Sequence, residues 1–404
     1  MLLTSNECSV EQVCILGATG SIGLNTLDVI GQHPERYSVF ALTAFASEKS
    51  LFSLCKKYLP AFAVMVDADA AEKLERKIKS ENLDITVLSG AESLITVSAH
   101  ERVDIVMAAI VGGAGLRANL AAAEAGKKIL LANKESLVMS GQLFMNKVTE
   151  NSATLLPIDS EHNAIFQCLS DEYRCGSNLG RDITRVLLTA SGGPFRSWSY
   201  EQMKSVTPEQ ACAHPNWNMG QKISVDSASL MNKGLELIEA CWLFNLEPDK
   251  VEVHVHPESI VHSMVEYIDG SVISQMGNPD MRTPIAYGLA WPERISSGVD
   301  SLDLFKVGRL NFEQPDLERF PCLRLAQEAF SAGGTSCAIL NAANECAVES
   351  FLKGNIAFTS IPDIISGVLG SMPFSSADTI ETILSADSDA RLIADEIIQK
   401  ELGK

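Results

Sequence analysis

Val13-Cys14-Ile15-Leu16-Gly17-Ala18-Thr19-Gly20-Ser21-Ile22-Gly23 sets an apolar strand against a glycine-rich turn and the opening of a helix. Glycines spaced G-x-x-G-x-x-G let a main chain come close to a pyrophosphate, with the N–H groups of a helix N-terminus aimed at it. Alone, such a pattern also serves ordinary tight turns. Its position gives it weight. Short β-rich runs at 13–16, 39–44, 61–66, 85–88, 104–110 and 129–132 alternate with helical patterns, as in a parallel sheet covered by helices. The expectation is an α/β chain that opens with a Rossmann-like dinucleotide-binding domain over 1–154.

The turn after the second strand, Ala44-Phe45-Ala46-Ser47-Glu48-Lys49, bears on which dinucleotide is bound. An NAD site usually carries an acid there for the ribose 2′-hydroxyl. Ser47 and Lys49 could instead receive a 2′-phosphate, which favours NADPH, and Glu48 moderates that preference.

Outward from this domain, Asp159-Ser160-Glu161 follows an apolar run at 155–158, and Glu236 lies on a helical pattern over 228–236. Read as extended backbone, residues 159 and 161 point to one side, so their carboxylates could share a divalent cation. Asn232 and Lys233 stand four and three residues before Glu236, so amide, ammonium and carboxylate share a helix face. One face could then serve both metal and phosphate. An N-cap plus a surface carboxylate is the plainer alternative, weakened by the neighbouring nucleotide fold.

Lys134, in Asn133-Lys134-Glu135, follows a strand at the carboxyl end of the sheet, where α/β folds place ligands; it could donate to a substrate oxygen or be a solvated loop lysine. Ser191-Gly192-Gly193-Pro194 offers a hydroxyl and main-chain N–H groups to a phosphate, or is a simple turn. Ser227 is expected at the start of the helix that bears Asn232, Lys233 and Glu236, as an N-cap compatible with a phosphate role. The loop Ala213-His214-Pro215-Asn216-Trp217-Asn218-Met219-Gly220 combines an aromatic, an imidazole and a glycine, as a water-excluding lid would. A rigid loop anchored by Trp217 is the alternative. No nucleophile-base motif is present.

The second part, 155–291, has antiparallel character, with a hairpin signal at Asp269-Gly270. Along 251–256 the alternation puts Glu252, His254 and His256 on one face, read as the polar face of a half-buried sheet or a subunit contact rather than a metal site. A linker over 292–316 leads to helices at 323–331, 338–353, 361–369 and 388–402, a C-terminal helical domain over 317–404. The fold class is thus α/β, with a central α+β catalytic domain built on a mixed sheet.

A net charge of −19 argues against nonspecific nucleic-acid or anionic-membrane binding. No apolar run reaches the length of a membrane span. The ten cysteines form no C-x-x-C pair and the first residues lack a signal-peptide pattern, so a reducing cytoplasm is expected.

Several motifs in one order resemble the 1-deoxy-D-xylulose 5-phosphate reductoisomerase family. They are the turn 17–23, Ala132-Asn133-Lys134-Glu135-Ser136-Leu137, Asp159-Ser160-Glu161-His162-Asn163-Ala164-Ile165-Phe166, Ser191-Gly192-Gly193-Pro194-Phe195, His214 to Gly220, 227–236, Pro279-Asp280-Met281-Arg282-Thr283-Pro284 and Leu340-Asn341-Ala342-Ala343-Asn344-Glu345. The resemblance runs from Val13 almost to the C-terminus. It implies an NADPH- and metal-dependent rearrangement and reduction of a small phosphorylated sugar, 1-deoxy-D-xylulose 5-phosphate, to 2-C-methyl-D-erythritol 4-phosphate in the non-mevalonate isoprenoid pathway.

Residue by residue, it implies Asp159, Glu161 and Glu236 as ligands of Mg²⁺, Mn²⁺ or Co²⁺, and Ser191, Ser227, Asn232 and Lys233 as phosphate ligands. Lys134, Ser160 and His214 would meet the sugar's polar groups, with Lys134, Glu161 and His214 catalytic and Trp217 beside the substrate. Gly17, Thr19, Gly20, Ser21, Ile22, Ser47, Asn133, Glu135 and Gly220 would contact NADPH, and Met281 the nicotinamide. The resemblance also implies a homodimer paired through the central domain, as is typical of the family. One departure stands out. Phe45-Ala46-Ser47 occupies a segment where many members carry a small residue, a basic residue and Asn or Ser, so only Ser47 matches. Another NADP-linked dehydrogenase, of semialdehyde or homoserine, is one alternative and would show a catalytic cysteine loop or lack the three carboxylates; a non-enzymatic dinucleotide sensor is another and would have no need of three convergent carboxylates.

Overall fold

The computed structural model describes residues 10–213, 217 and 220–402. The chain forms two compact units. The first comprises Met1–Asn133, Asn146–Asp159 and Asp280–Asp300; the second comprises Lys134–Met145, Ser160–Pro279 and Ser301–Lys404.

The first unit is built on seven strands: β1 (Glu11–Leu16), β2 (Tyr37–Ala44), β3 (Phe62–Met65), β4 (Thr86–Ser89), β5 (Ile105–Ala108), β6 (Lys128–Leu131) and β7 (Thr154–Pro157). Their order is β4-β3-β2-β1-β5-β6-β7 and every pairing is parallel. Helices cover a parallel sheet on both faces, so its strands read as unbroken apolar runs, and Val13, Cys14, Ile15 and Leu16 are all 0% exposed. The chain leaves β1 towards β2 and later returns beside it as β5. That reversal opens a crevice at the carboxyl end of β1, the usual ligand position of doubly wound sheets. The glycine turn sits there.

Gly17 has φ +82°, and a side chain on it would stand 2.6 Å from the carbonyl oxygen of Ala109. Gly23, inside helix Ser21–Gln32, lets that helix rest on the turn, since a Cβ there would meet the Gly17 carbonyl at 2.5 Å. Both positions require glycine because a side chain would strike the chain's own backbone, a packing reason distinct from the close approach to a pyrophosphate that the spacing suggests.

In the second unit, β8 (Ile183–Ala190), β9 (Val251–Val255), β10 (Val261–Tyr267) and β11 (Val272–Met276) form a mixed sheet in the order β11-β10-β8-β9. The β10–β11 hairpin turns at Gly270, φ +85°, and Asp269 Oδ1 accepts the Ser271 N–H at 2.9 Å. Val251, Val253 and Val255 are buried, Glu252 is exposed and His254 half-buried, as the alternation predicts. His256 departs from it. The strand ends at Val255, and the His256 ring is buried, with Nδ1 2.8 Å from the Asn311 carbonyl and Nε2 accepting the N–H groups of Ile260 and Val261 at 3.2 Å.

The C-terminal helices are Cys322–Ala332, Ser336–Leu352, Ile361–Ser371 and Ile380–Leu402. The last starts eight residues before the expected 388. The Ser-rich stretch before 388 reads as a break in sequence, but a helix interior tolerates serine once the start is capped, and Thr379 Oγ1 accepts the Thr382 N–H at 3.2 Å.

Candidate active site

Helix Ser160–Gln167 begins directly after Asp159, so Glu161 stands in a first helical turn and not on the extended backbone expected for 159–161. The apolar strand before it ends at Pro157 and gives way to a helix whose unpaired N–H end favours an acid. Convergence survives by another route: ligand oxygens of Asp159, Glu161 and Glu236 lie within 4.8 Å of one another.

Two ammonium groups stand on this set. Lys233 Nζ is 2.9 Å from Glu161 Oε1 and in closer contact with Glu236 Oε2. Lys134 Nζ lies 3.1 Å from Glu236 Oε1 and donates to Asn232 Oδ1 at 2.8 Å, while the Asn232 amide donates to Glu236 Oε1. Ser160 Oγ donates to Glu161 Oε2 at 2.5 Å. Glu236 is 1% exposed and Lys233 3%, so their charges persist only because each is paired. Burial pulls the Lys233 ammonium down, but Glu161 and Glu236 outweigh it and its pKa is raised. Among the described residues, three carboxylates and two ammonium groups meet here. All three are hard oxygen donors, a set that suits Mg²⁺ or Mn²⁺.

The helix that carries this face differs from the expected one. Sequence suggests a single run over 228–236 with Ser227 as its N-cap. Instead Ser227 lies in the last turn of helix Gln221–Ala228, and a second helix, Met231–Phe244, follows after Leu230 adopts φ +61°. A buried leucine in the left-handed region costs roughly 1 kcal/mol or more, the sort of strain that collects at functional sites. Ser229 is the residue at the break, its Oγ accepting the Met231 N–H at 3.3 Å. The Ser191 turn packs against that break: Gly192 and Gly193 have φ +82° and +69°, and a side chain on Gly193 would stand 2.7 Å from the Ser227 carbonyl. Ser191 and Ser227 are thereby brought to one place. Ser191 Oγ accepts the Gly193 N–H at 3.2 Å.

Two further buried networks support the site. His162, 0% exposed, has Nε2 2.8 Å from the Glu236 carbonyl and Nδ1 3.4 Å from Glu239 Oε2. It braces the Glu236 helix against the Glu161 helix. A ligand atom of each of Asp159, His162 and Glu239 also falls within 4.8 Å of the others, a mixed nitrogen and oxygen set. The i, i+3 spacing of Glu236 and Glu239 was the available signal. Lys222 Nζ stands 2.9 Å from both Glu135 Oε1 and Asp226 Oδ2, and Asn344 Nδ2 donates to Asp226 Oδ1 at 2.9 Å. Burial raises the Glu135 carboxyl, but the Lys222 ammonium outweighs it and holds it below its ordinary value. The i, i+4 pair Lys222 and Asp226 was legible; its tie to Glu135, 87 residues away, was not.

The remaining expected residues fall as follows. Thr19, Gly20, Ser21 and Ile22 form the turn into helix Ser21–Gln32, with Gly20 its N-cap. Ser47 is the N-cap of helix Glu48–Tyr58 without a side-chain capping bond. Asn133 Nδ2 donates to the Gly112 carbonyl at 3.1 Å and its Oδ1 accepts from Asn119 at 3.1 Å. Gly220 is the N-cap of helix Gln221–Ala228, and Met281 that of helix Arg282–Ala290. Trp217 is half-buried, its ring 6.2 Å from that of His262. His214 lies outside the described residues.

A doubly wound sheet with a glycine-lined first turn, carried with a buried acid and ammonium cluster, defines a dinucleotide-dependent enzyme class. Family models match along the chain: 1-deoxy-D-xylulose 5-phosphate reductoisomerase over residues 13–141, its C-terminal domain over 155–244, and the DXP reductoisomerase C-terminal domain over 276–393. The chain is 58% identical to the 1-deoxy-D-xylulose 5-phosphate reductoisomerase of Pseudomonas savastanoi pv. phaseolicola, covering 96% of this chain and 98% of that one. The enzyme of the same name from Nitrosomonas eutropha is also 58% identical, over 95% and 92%. A crystal structure of a DOX-P reductoisomerase in complex with NADPH, fosmidomycin and magnesium matches with TM-score 0.93 at 47% identity, over 96% of this chain and 98% of that one. The Zymomonas mobilis enzyme in complex with NADPH matches with TM-score 0.88 at 44% identity, over 96% and 98%. The chain belongs to the 1-deoxy-D-xylulose 5-phosphate reductoisomerase family.

Proposed function

We infer that this chain converts 1-deoxy-D-xylulose 5-phosphate to 2-C-methyl-D-erythritol 4-phosphate, using NADPH and a divalent metal ion, within the non-mevalonate isoprenoid pathway. The observation that carries this reading is the cluster of Asp159, Glu161 and Glu236 under Lys134 and Lys233, in a chain 58% identical over nearly its whole length to enzymes of that name. Asp159, Glu161 and Glu236 would hold Mg²⁺ or Mn²⁺. When bound, the cation would supply Lewis acidity to substrate oxygens and NADPH the hydride.

The chain's own residues do the rest. Lys134, the first residue of its helix, presents an ammonium that would donate to a substrate oxygen gaining negative charge, and Ser160 a hydroxyl beside it. Ser191, Ser227, Asn232 and Lys233 would hold the phosphate and so fix the sugar, converting remote binding into orientation at the reacting carbons. Gly17, Thr19, Gly20, Ser21, Ile22, Ser47, Asn133, Glu135, Gly220 and Met281 would hold NADPH. His214 and Trp217 would cover the substrate against water.

On this reading 1–154 binds cofactor, 155–291 binds metal and substrate, and 292–316 links them to the helical part 317–404. A homodimer through the central part is supported by the outer strand β11, where Val272 and Ile273 are each 47% exposed and neighbouring Ile268 is 75% exposed. A cytoplasmic location is supported by the described cysteines, all free and most of them buried. No helix among the described residues is long and apolar enough to cross a membrane.

The test is NADPH oxidation in the presence of 1-deoxy-D-xylulose 5-phosphate, with product identified by mass. One product molecule per NADPH consumed is expected, with loss of turnover on chelation and recovery on adding Mg²⁺. Undiminished turnover of rigorously metal-free protein would sink the reading.

A further inference from the structure

NAD-selective proteins place an acid at the end of the second strand against the ribose 2′-hydroxyl; here the first acid after β2 is Glu48, four residues past the strand's end and the first residue of helix Glu48–Tyr58. In this chain that acid is engaged elsewhere. Glu48 Oε1 lies 2.5 Å from Lys77 Nζ, from the last turn of helix Ala68–Ser80, and the Glu48 side chain is only 12% exposed. The neighbouring acid at the end of β3, Asp67, is also occupied, its Oδ1 accepting the Ala70 N–H at 2.8 Å as the N-cap of that helix. Ser47 is exposed and makes no side-chain capping bond, so helix Glu48–Tyr58 presents an uncapped N-terminus beside an exposed hydroxyl.

We propose that the Glu48–Lys77 ion pair sets this chain's discrimination between NADPH and NADH. Lys77 neutralises Glu48 and draws it from the ribose, leaving Ser47 and the helix N-terminus to a 2′-phosphate. An unpaired Glu48 would repel that phosphate through a poorly solvated path and accept a ribose hydroxyl instead. This supplies, with residues 29 apart in sequence, what a basic residue at position 46 would supply directly. The proposal rests on the reading that NADPH is the cofactor. Lys77 is 41% exposed but Glu48 only 12%, so Lys77→Met leaves a largely buried acid without its partner, and denaturant unfolding of each variant accompanies the binding measurements.

The experiment is equilibrium binding of NADPH and of NADH to the full chain without substrate or metal, by nucleotide fluorescence and calorimetry. Lys77→Met should weaken NADPH binding about tenfold and leave NADH unchanged or tighter, since one lost charge compensation is worth roughly a decade in affinity. Glu48→Gln combined with Lys77→Met should restore NADPH binding to within about twofold of the wild type, because no acid then remains to be neutralised. An unchanged NADPH to NADH ratio in Lys77→Met overturns the proposal. So does a double variant as weak as Lys77→Met, which would make Lys77 a phosphate ligand in its own right. Wild-type protein that binds both nucleotides equally would remove the NADPH reading, and the proposal with it.

Discussion

The glycine turn after β1 and the carboxylate cluster around Glu236 prepare for ligands by opposite means. The turn offers main-chain N–H groups and empty space, and the first turn of its helix carries no acidic residue. The cluster offers side-chain charge, four ionised groups at most 19% exposed among Glu161, Lys134, Lys233 and Glu236. A site made of backbone fails when atoms are added, whereas a site made of buried charges fails when one charge is removed and its partners are left uncompensated.

That contrast is broken or sharpened by four changes, the largest first. Glu236→Gln should lower turnover by about a thousandfold or more, through loss of one charged ligand to a hard cation. It should also cost roughly 3 kcal/mol of stability, because Lys134 and Lys233 lose their shared buried partner. Steady-state kinetics with denaturant unfolding reads both, and near-normal turnover at limiting Mg²⁺ would remove Glu236 from the ligand set.

Gly23→Ala adds a single methyl. Because the group it would strike is backbone, 2.5 Å away, NADPH binding should weaken by about a hundredfold while metal binding is untouched. Wild-type NADPH affinity in this variant would show the turn to be more pliable than its packing says.

A third change probes how the second unit treats a charge with no partner. His262 is 8% exposed; burial lowers its pKa to about 4, and hydrogen bonds to the backbone of Asn278 and Gly277 only partly oppose this. The folded value lies below the unfolded 6.5, so the unfolded chain binds the proton first as pH falls. The stability that His262 contributes is therefore complete above about 6.5 and is lost between about 6.5 and about 4, on the order of 3 kcal/mol in all. Subtracting the pH–stability curve of His262→Gln from that of the wild type should leave this slope, and a flat difference would mean the imidazole is solvated.

The smallest effect is expected at Ala46→Arg, which should widen the preference for NADPH over NADH by roughly 1 to 2 kcal/mol, the scale of a charge-assisted hydrogen bond. It would bring a positive side chain directly to a place that otherwise offers the Ser47 hydroxyl and main-chain N–H groups. The ratio of kcat/KM values reads it.

What was legible in sequence follows the same division. The parallel sheet could be read because buried strands are continuous apolar runs and because Gly17 and Gly23 mark where a side chain cannot fit. The carboxylates could be singled out because Asp159, Glu161 and Glu236 have no reason to recur beside a nucleotide fold. Their geometry could not. A strand and a first helical turn look alike over three residues, so 159–161 read as extended, and nothing in Ser227-Ala228-Ser229-Leu230 announces a helix break at a leucine with positive φ. The braces His162–Glu239 and Lys222–Glu135 join residues 77 and 87 apart, pairings that only the fold creates.

The most direct test of the account is Mn²⁺ titration, followed by paramagnetic resonance, of the wild type and of Asp159→Asn, Glu161→Gln and Glu236→Gln in turn. One Mn²⁺ per chain is predicted for the wild type, weakened at least about tenfold by each substitution, with Glu239→Gln much less affected. Wild-type affinity in all three carboxylate variants, or a loss that tracks Glu239 and His162 instead, would contradict it.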